Sequence, residues 1–400
     1  MRSPLVLVCA AAFLYMLGLS VIFPVVPTFI RTLGLSESDA GILVSSYALA
    51  SFFMAPVWGR VSQRIGRKPT LLIGLAGFAL GFVCFGLSSS FSALLAARGV
   101  GGLLAAAVMP AIFAYAADTT VSERRSTVMG AIGAAVGVGV LCGVVLGGTL
   151  GNVDPRLPFF TAGAIGAATL VCTALWLPES LTPERRAAAQ AERAAGVSTL
   201  RLTLQLLPFL SFGFLIQVAR SALEGTIGFL ILDRFAGTSR DTGLVLGVST
   251  LIAVGVQGGL LRALTRVASD RGLMLAGTLL LSLGLLWTGM AARWDLLIAA
   301  SVLLGVGAGV VEPTFRGELS RVSEAIQGEV QGLHSSAQSL ARALAFALFP
   351  TLYESWAPEW VFALAAASGG AALAIGLGGL RSTATPALPV AAVSGTPPSR

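Results

Sequence analysis

A 400-residue chain with 55% hydrophobic and 11% charged residues and a mean hydropathy of +0.85 cannot clothe itself in water, because a soluble domain is about a quarter charged. The composition describes an integral membrane protein. The net charge of +7 is scattered through short polar breaks and leaves no basic face for nucleic acid.

A helix crosses hydrocarbon in roughly 20 residues. The first apolar run, 5–30, exceeds the ~7–15-residue core of a signal peptide and is followed by many others, so it reads as a membrane helix. Eleven more runs follow near 40–58, 70–88, 91–117, 127–150, 157–177, 208–233, 242–262, 272–292, 294–317, 330–352 and 358–380. Continuous apolarity, rather than alternation, specifies helices and not a barrel. The expected fold is all-α with twelve spans in two six-helix halves, 1–177 and 208–380. The polar break 178–207 reads as a cytoplasmic loop, part helical on the membrane surface, and 381–400 as a disordered cytoplasmic tail.

With the N-terminus inside, the inner segments hold eighteen Arg and Lys and the outer loops five: Arg31, Arg156, Arg234, Arg240 and Arg293. This asymmetry puts both termini and the central loop in the cytoplasm of a multi-pass protein of the cell (inner) membrane. Equal halves suggest an internal duplication, which in transporters places the substrate site between them. A shift of about 202 residues faintly aligns Arg64 with Arg266 and Gly130 with Gly332. Cys9, Cys84, Cys142 and Cys172 all lie in apolar runs without CxxC or metal spacing, so neither a disulfide framework nor a metal site is expected.

Between the second and third runs, Gly59–Leu71 concentrates Arg60, Arg64, Arg67 and Lys68, the only lysine in the chain. The pattern Gly59-x3-Gln63-Arg64-x-Gly66-Arg67-Lys68 resembles the signature loop of the major facilitator superfamily. The flanking Ala55–Trp58 and Pro69–Leu72 resemble its drug:proton antiporter branch. Gly59 would let helices approach, Gly66 would permit a tight turn, and the cations would face an anionic inner leaflet. Leu94-x3-Arg98-x3-Gly102 resembles the superfamily's second motif, with Gly101 where glutamine is usual. Gly130-x8-Gly139-x3-Gly143-x3-Gly147-Gly148 resembles its antiporter motif, and the spacing puts a flat stripe on one helix face. Two further positions depart from the family: its usual acid is Gln63 and its usual proline after Gly143 is Val144. In the family that acid is thought to join the cytoplasmic gate, so gating here must use other contacts.

Charges inside the spans are functional candidates. Arg98 would either act within the span or snorkel to the outer interface. Gln217, Arg220, Ser221 and Glu224 share one helix face by spacing. Glu224 would bind a proton or a cationic substrate, or simply pair with Arg220. A second stripe holds Gln331, His334, Ser335, Gln338 and Arg342. Arg342 would bind an anionic group or neutralise Glu224, and His334, near the cytoplasmic end, would relay protons or be merely solvated. Glu312, with Arg316 one turn on, would couple protons, form a gate salt bridge or make a simple ion pair, whereas Asp118 and Glu123 with Arg124 and Arg125 read as gate electrostatics. Pro24, Pro27 and Pro110 would bend helices at the cavity, which Tyr15, Phe23, Tyr47 and Tyr115 would either line or leave for lipid.

The resemblance implies a monomeric secondary transporter, working with a small-molecule substrate, protons and the lipid bilayer. It would export a partly hydrophobic compound by proton antiport and alternating access. The alternatives are proton-coupled uptake or facilitated transport of a sugar, organic acid or other metabolite, and a non-transporting receptor. No Walker A, HExxH or Ser/His constellation is present, so no cofactor and no enzyme activity are expected. Arg220 and Arg342 argue for an anionic or zwitterionic substrate, Glu224 for a cationic one.

Overall fold

A computed structural model describes residues 4–120, 122–181, 199–321 and 327–378. The expected surface helix at 182–198, the tail, and the side chains of Glu123, Arg124, Arg125 and Gln331 lie outside the described residues. The elements are α1 Pro4–Ser20, α2 Val26–Thr32, α3 Glu37–Ile65, α4 Arg67–Leu87, α5 Phe91–Ala105, α6 Val108–Thr119, α7 Ser122–Val153 and α8 Leu157–Trp176. Then come α9 Thr199–Phe235, α10 Ser239–Gly255, a π turn at Val256–Leu260, α11 Leu261–Val267, α12 Asp270–Met290, α13 Trp294–Arg321, α14 Gln327–Ser355 and α15 Pro358–Gly378. No strand occurs among the described residues.

Ten helical stretches among the described residues are long and apolar enough to cross a membrane, against twelve runs in the sequence. The first run is cut at residues 21–25 into α1 and α2. Pro24 lies in that turn, and Pro27 occupies the first turn of α2, where its missing N–H breaks no hydrogen bond. The run 330–352 lies within α14, whose His334, Gln338 and Arg342 dilute its apolarity. Pro110 acts as its chemistry requires. Its ring would collide with the carbonyl of Ala106, and the chain breaks at Ala106–Ala107 between α5 and α6.

Helix starts are chemically marked. Ser36 and Asp39 form a reciprocal capping box on α3, and Thr238 with Asp241 does so on α10. In the early part of the chain α4 packs on α5 and α8, and α7 on α1; in the late part α12 packs on α13 and α15, and α9 on α14. The extensive contacts between early and late parts are α3 on α14 and α7 on α10.

The antiporter-like glycines explain two of these contacts. Gly139 and Gly143 lie against the backbone of Phe13 and Leu17 on α1 and Gly147 against that of Val21 just after it, while Gly148 faces Gly243 on α10. A methyl group on Gly148 would stand 2.9 Å from the Gly243 Cα, so these helices pack backbone to backbone. The expected stripe ends short of its first member. Gly130 touches neither helix, and a Cβ there would meet open space, as it would at Gly133, Gly255, Gly258 and Gly259. From Gly148 to Gly130 is about 27 Å of helix. Over that length the glycine face goes from backbone contact at Gly148, through a side-chain contact of Gly137 with Val254, to an empty Cβ position at Gly130, and the π turn of Val256–Leu260 follows just after Val254.

Candidate functional site

Four clusters of polar side chains follow the long axis of the bundle, between an end marked by Arg31 and an end marked by Arg67. At the Arg67 end, Gly66 has φ of 113°, a conformation open to glycine and strained for other residues. Glu179 explains why the position must also be small: its carboxylate lies where a Cβ would go. It accepts from the backbone N–H of Arg67 at 2.9 Å and of Lys68 at 3.1 Å, capping the positive N-terminus of α4 from a distant segment. Arg67 itself is buried; it donates from Nε to Asp118 at 2.9 Å and from Nη1 to Ser62 at 3.1 Å. Lys68 donates to the Ala174 carbonyl at 2.7 Å.

Asp118 and Glu179 thus bring carboxylates to Arg67 and the N-terminus of α4, where Gln63 carries no charge; the expected company of Asp118 with Arg124 and Arg125 falls on side chains outside the described residues. Gln63 is half-buried and Arg64 exposed. Gly59 does not bring helices together: a Cβ there would meet nothing within 4 Å. Its expected role in close packing is corrected: the contact of α3 with α5 here is made by the neighbouring Trp58, which donates to the Leu103 carbonyl at 2.7 Å. Glu179 was not singled out from the sequence. Its only signal was its place just after α8, on the side of the bundle that an even count of spans shares with the motif.

The second cluster surrounds Arg98 on α5. Gly102, one turn on, lets α5 approach α3 so closely that a Cβ would be 3.0 Å from the Tyr47 Cα. Gly101, the departure from the usual glutamine, meets Gly81 of α4, with a built Cβ 3.1 Å from its Cα. These two approaches set the Arg98 guanidinium in an aromatic cage, 4.5 Å from the centre of the Tyr47 ring, 5.6 Å from Phe82 and 5.7 Å from Phe85. Tyr47 and Tyr15 share a hydroxyl hydrogen bond of 3.0 Å, and Tyr15 also donates to the Ala105 carbonyl at 3.4 Å. Arg98 is 4% exposed, so it does not snorkel to an interface. It lines a cavity of about 50 Å³ together with Tyr47, Ser51, Ser339 and Arg342. Phe23 and Phe346, stacked at 5.9 Å, border the cavity toward the Arg31 end. Tyr115 is buried in the core and lines neither this cavity nor the one described next.

The third cluster divides the polar face of α9. Gln217 and Ser221 are buried and satisfy each other at 2.9 Å, which makes them a structural pair. Arg220 stands 4.0 Å from Glu224 and 4.0 Å from Glu312, while Arg316 donates to Glu312 at 2.8 Å. Glu224 also lines a second cavity with Phe23, Pro27, Gly41 and Pro350. Arg342 pairs with none of these carboxylates; no ion pair involves it among the described residues. His334 corrects the expectation of a solvated side chain. It is 1% exposed, its ring lies against Phe315 at 5.2 Å, and neither ring nitrogen has a hydrogen-bond partner. Gln338 is half-buried and lines neither cavity, where its neighbour Ser339 lines the first.

At the Arg31 end most of these contacts join early to late residues. Arg31 clamps Asp233 through two hydrogen bonds of 2.6 and 3.0 Å and also donates to Glu37 at 2.7 Å. The Asp233 bonds, opposed by burial, hold its guanidinium above the ordinary arginine range. Ser38 donates from its backbone N–H and hydroxyl to Glu354 at 2.7 and 2.6 Å, and Thr28 shares a hydrogen bond of 2.8 Å with Ser239.

A membrane bundle with buried charges between its early and late helices is the architecture of a solute carrier, and relatives agree. The family model described as Major Facilitator Superfamily matches residues 8–269, and the chain belongs to that superfamily. It is 30% identical over 361 residues to "Tetracycline resistance protein, class D" of Salmonella ordonez, covering 88% of this chain and 90% of the relative. It is 29% identical over 361 residues to "Multidrug resistance protein 2" of Bacillus subtilis (strain 168), covering 88% and 89%. Among solved structures, the human organic anion transporter MFSD10 (TETRAN) superposes with a TM-score of 0.69 at 23% identity, over 93% of this chain and 98% of that one. That likeness concerns the fold.

Proposed function

We propose that the chain is a secondary transporter of the cell membrane that exports a small, partly hydrophobic compound in exchange for protons. Two six-helix halves, 1–177 and 208–380, would alternate access to a site between them. One observation carries this reading: α7 and α10 touch backbone to backbone at Gly148 and Gly243 and still meet at Gly137 and Val254, whereas the Cβ positions of Gly130 and, in the π turn after α10, Gly258 have no neighbour within 4 Å. An interface packed at one end and open at the other is one of the two shapes such a carrier needs. The arginine asymmetry of the loops supports a cytoplasmic Arg67 end and cytoplasmic termini. The open end then faces the cytoplasm, where an exporter loads. The resistance functions in the relatives' names support export of drug-like cargo. Glu224, which lines one cavity, and Glu312, which shares Arg220 with it, are the carboxylates proposed to carry the proton.

The test is transport by inside-out vesicles with an imposed pH gradient, across a panel of anionic, zwitterionic and cationic aromatic compounds. Accumulation should require the gradient and should fall sharply in Glu224→Gln. Gradient-driven accumulation unchanged in that variant removes Glu224 from the coupling, and accumulation independent of pH removes antiport.

A further inference from the structure

The cavity between α3, α5 and α14 is positively charged with no carboxylate in its lining. Arg98 and Arg342 both line it, and its other residues are Leu19, Ile22, Phe23, Val44, Tyr47, Ala48, Ser51, Ser339 and Phe346. Both guanidiniums have a buried Nε without a hydrogen-bond partner, and neither arginine forms an ion pair among the described residues. The carboxylates nearby are committed elsewhere: Glu312 to Arg316 and Arg220, Glu224 to Arg220 on the wall of the other cavity.

A guanidinium taken out of water is costly unless it is paired. Cation–π contact with Tyr47, Phe82 and Phe85 offsets part of that cost and occupies the faces of Arg98 while leaving its N–H edge for a ligand. The edge of a guanidinium is a planar fork matched to an oxyanion. We infer that Arg98 and Arg342 form the anion-binding part of the substrate site, taking the carboxylate of an organic anion. The apolar body of that anion would lie along Phe23, Val44 and Phe346. At about 50 Å³ the cavity suits a headgroup, with the body extending past Phe23 and Phe346, which also line the second cavity. The inference rests on the transporter reading for its biological sense, and the chemistry of binding is independent of it.

The experiment uses purified full-length protein in detergent and three probes of one shape: 2-naphthoate, neutral 2-naphthamide and cationic 2-naphthylmethylammonium. Calorimetric titration should give naphthoate at least about tenfold tighter binding than the amide, a difference of ~1.4 kcal/mol, and the ammonium the weakest. Arg342→Gln, on the half-buried partner, should remove that preference, Arg98→Gln should do the same, and Arg98→Lys should keep part of it. If Arg98→Gln does not fold, Arg342→Gln and the three-probe series on the unmodified chain still decide. Equal or tighter binding of the ammonium, or naphthoate binding unchanged in Arg342→Gln, overturns the anion site. The two readings fail separately in vesicles. Gradient-driven carriage of the ammonium, with naphthoate neither bound nor carried, keeps export and removes the anion site. Arginine-dependent naphthoate binding without gradient-driven flux keeps the site and removes antiport.

Discussion

The two ends of the bundle use polar contacts for opposite purposes. At the Arg31 end the hydrogen bonds run between distant parts of the chain: Arg31 to Asp233, Ser38 to Glu354, Thr28 to Ser239. At the Arg67 end they stay within the early helices and the segment after α8: Arg67 to Asp118 and Glu179, Lys68 to Ala174. The Arg31 and Glu354 contacts are exposed, where an ion pair contributes about 0–1 kcal/mol, and Thr28–Ser239 is part-buried; the second set is centred on a buried arginine. In the proposed transport cycle the Arg31 contacts would be weak enough to break and reform, and the Arg67 contacts would hold one group of helices together. The glycines follow the same division, packed against α1 and α10 at one end and facing open space at the other.

The sharpest way to break this contrast is at Asp118. Its removal leaves Arg67, with a side chain 9% exposed, as an uncompensated buried charge, which costs roughly 3 kcal/mol or more. Asp118→Ala should lower the thermal unfolding midpoint and the folded yield; an unchanged midpoint would make the Arg67 cluster dispensable. Next is Gly143→Leu, whose side chain would be driven into Leu17 and Ser20 of α1 at about 1–3 kcal/mol of overpacking. Gly130→Leu, at the open end of the same stripe, should leave the midpoint unchanged and slow transport by blocking closure. Equal effects of the two on stability would mean that the stripe is packed along its whole length.

Arg31→Gln should be milder, shifting the population toward an open Arg31 end by about 1 kcal/mol, roughly fivefold, readable as accessibility of a cysteine placed at Thr28. The smallest effect concerns pH. Burial pulls the Glu354 pKa up, but hydrogen bonds from Ser38 outweigh it and hold the carboxyl below its ordinary value. Once this end opens, the group returns toward about 4.3. A depressed pKa in the closed form means that closure is fully favoured above the ordinary value and weakens as pH falls through the depressed one. Acidifying the outer medium from about pH 7 to pH 4 should raise accessibility at Thr28, and Glu354→Gln should flatten that response.

The helices were legible because apolar runs of membrane length and prolines act locally. Pro110 marks the break at Ala106 and Pro27 the start of α2, although the turn that splits the first run was not foreseen. The motif residues Arg67, Arg98, Gly102 and Gly143 were legible through resemblance, and each sits in a close contact. What was not legible depended on helices meeting in space. Glu179 supplies a cap to α4 from more than a hundred residues away, and no local pattern announces it. Arg98 and Arg342 come from different parts of the chain to one cavity, whereas helix spacing had joined Arg220 to the anionic reading. His334 looked solvated by depth alone, yet Phe315 and Gly213 enclose it. Gly59 and Gly130 kept their motif positions without the contacts expected of them, because no neighbour comes within 4 Å of their Cβ positions.

Pulsed electron–electron distance measurement on spin-labelled protein in lipid tests the asymmetry most directly. One label pair would be Gly130→Cys with Gly258→Cys at the Arg67 end, and the other Val153→Cys with Arg240→Cys at the Arg31 end. The native Cys9, Cys84, Cys142 and Cys172, free thiols in the structure, would be replaced by alanine. Two distances are predicted at each pair, with populations that move in opposite directions as pH is changed or 2-naphthoate is added. A single fixed distance at both pairs under all conditions, or both pairs widening together, would contradict the account.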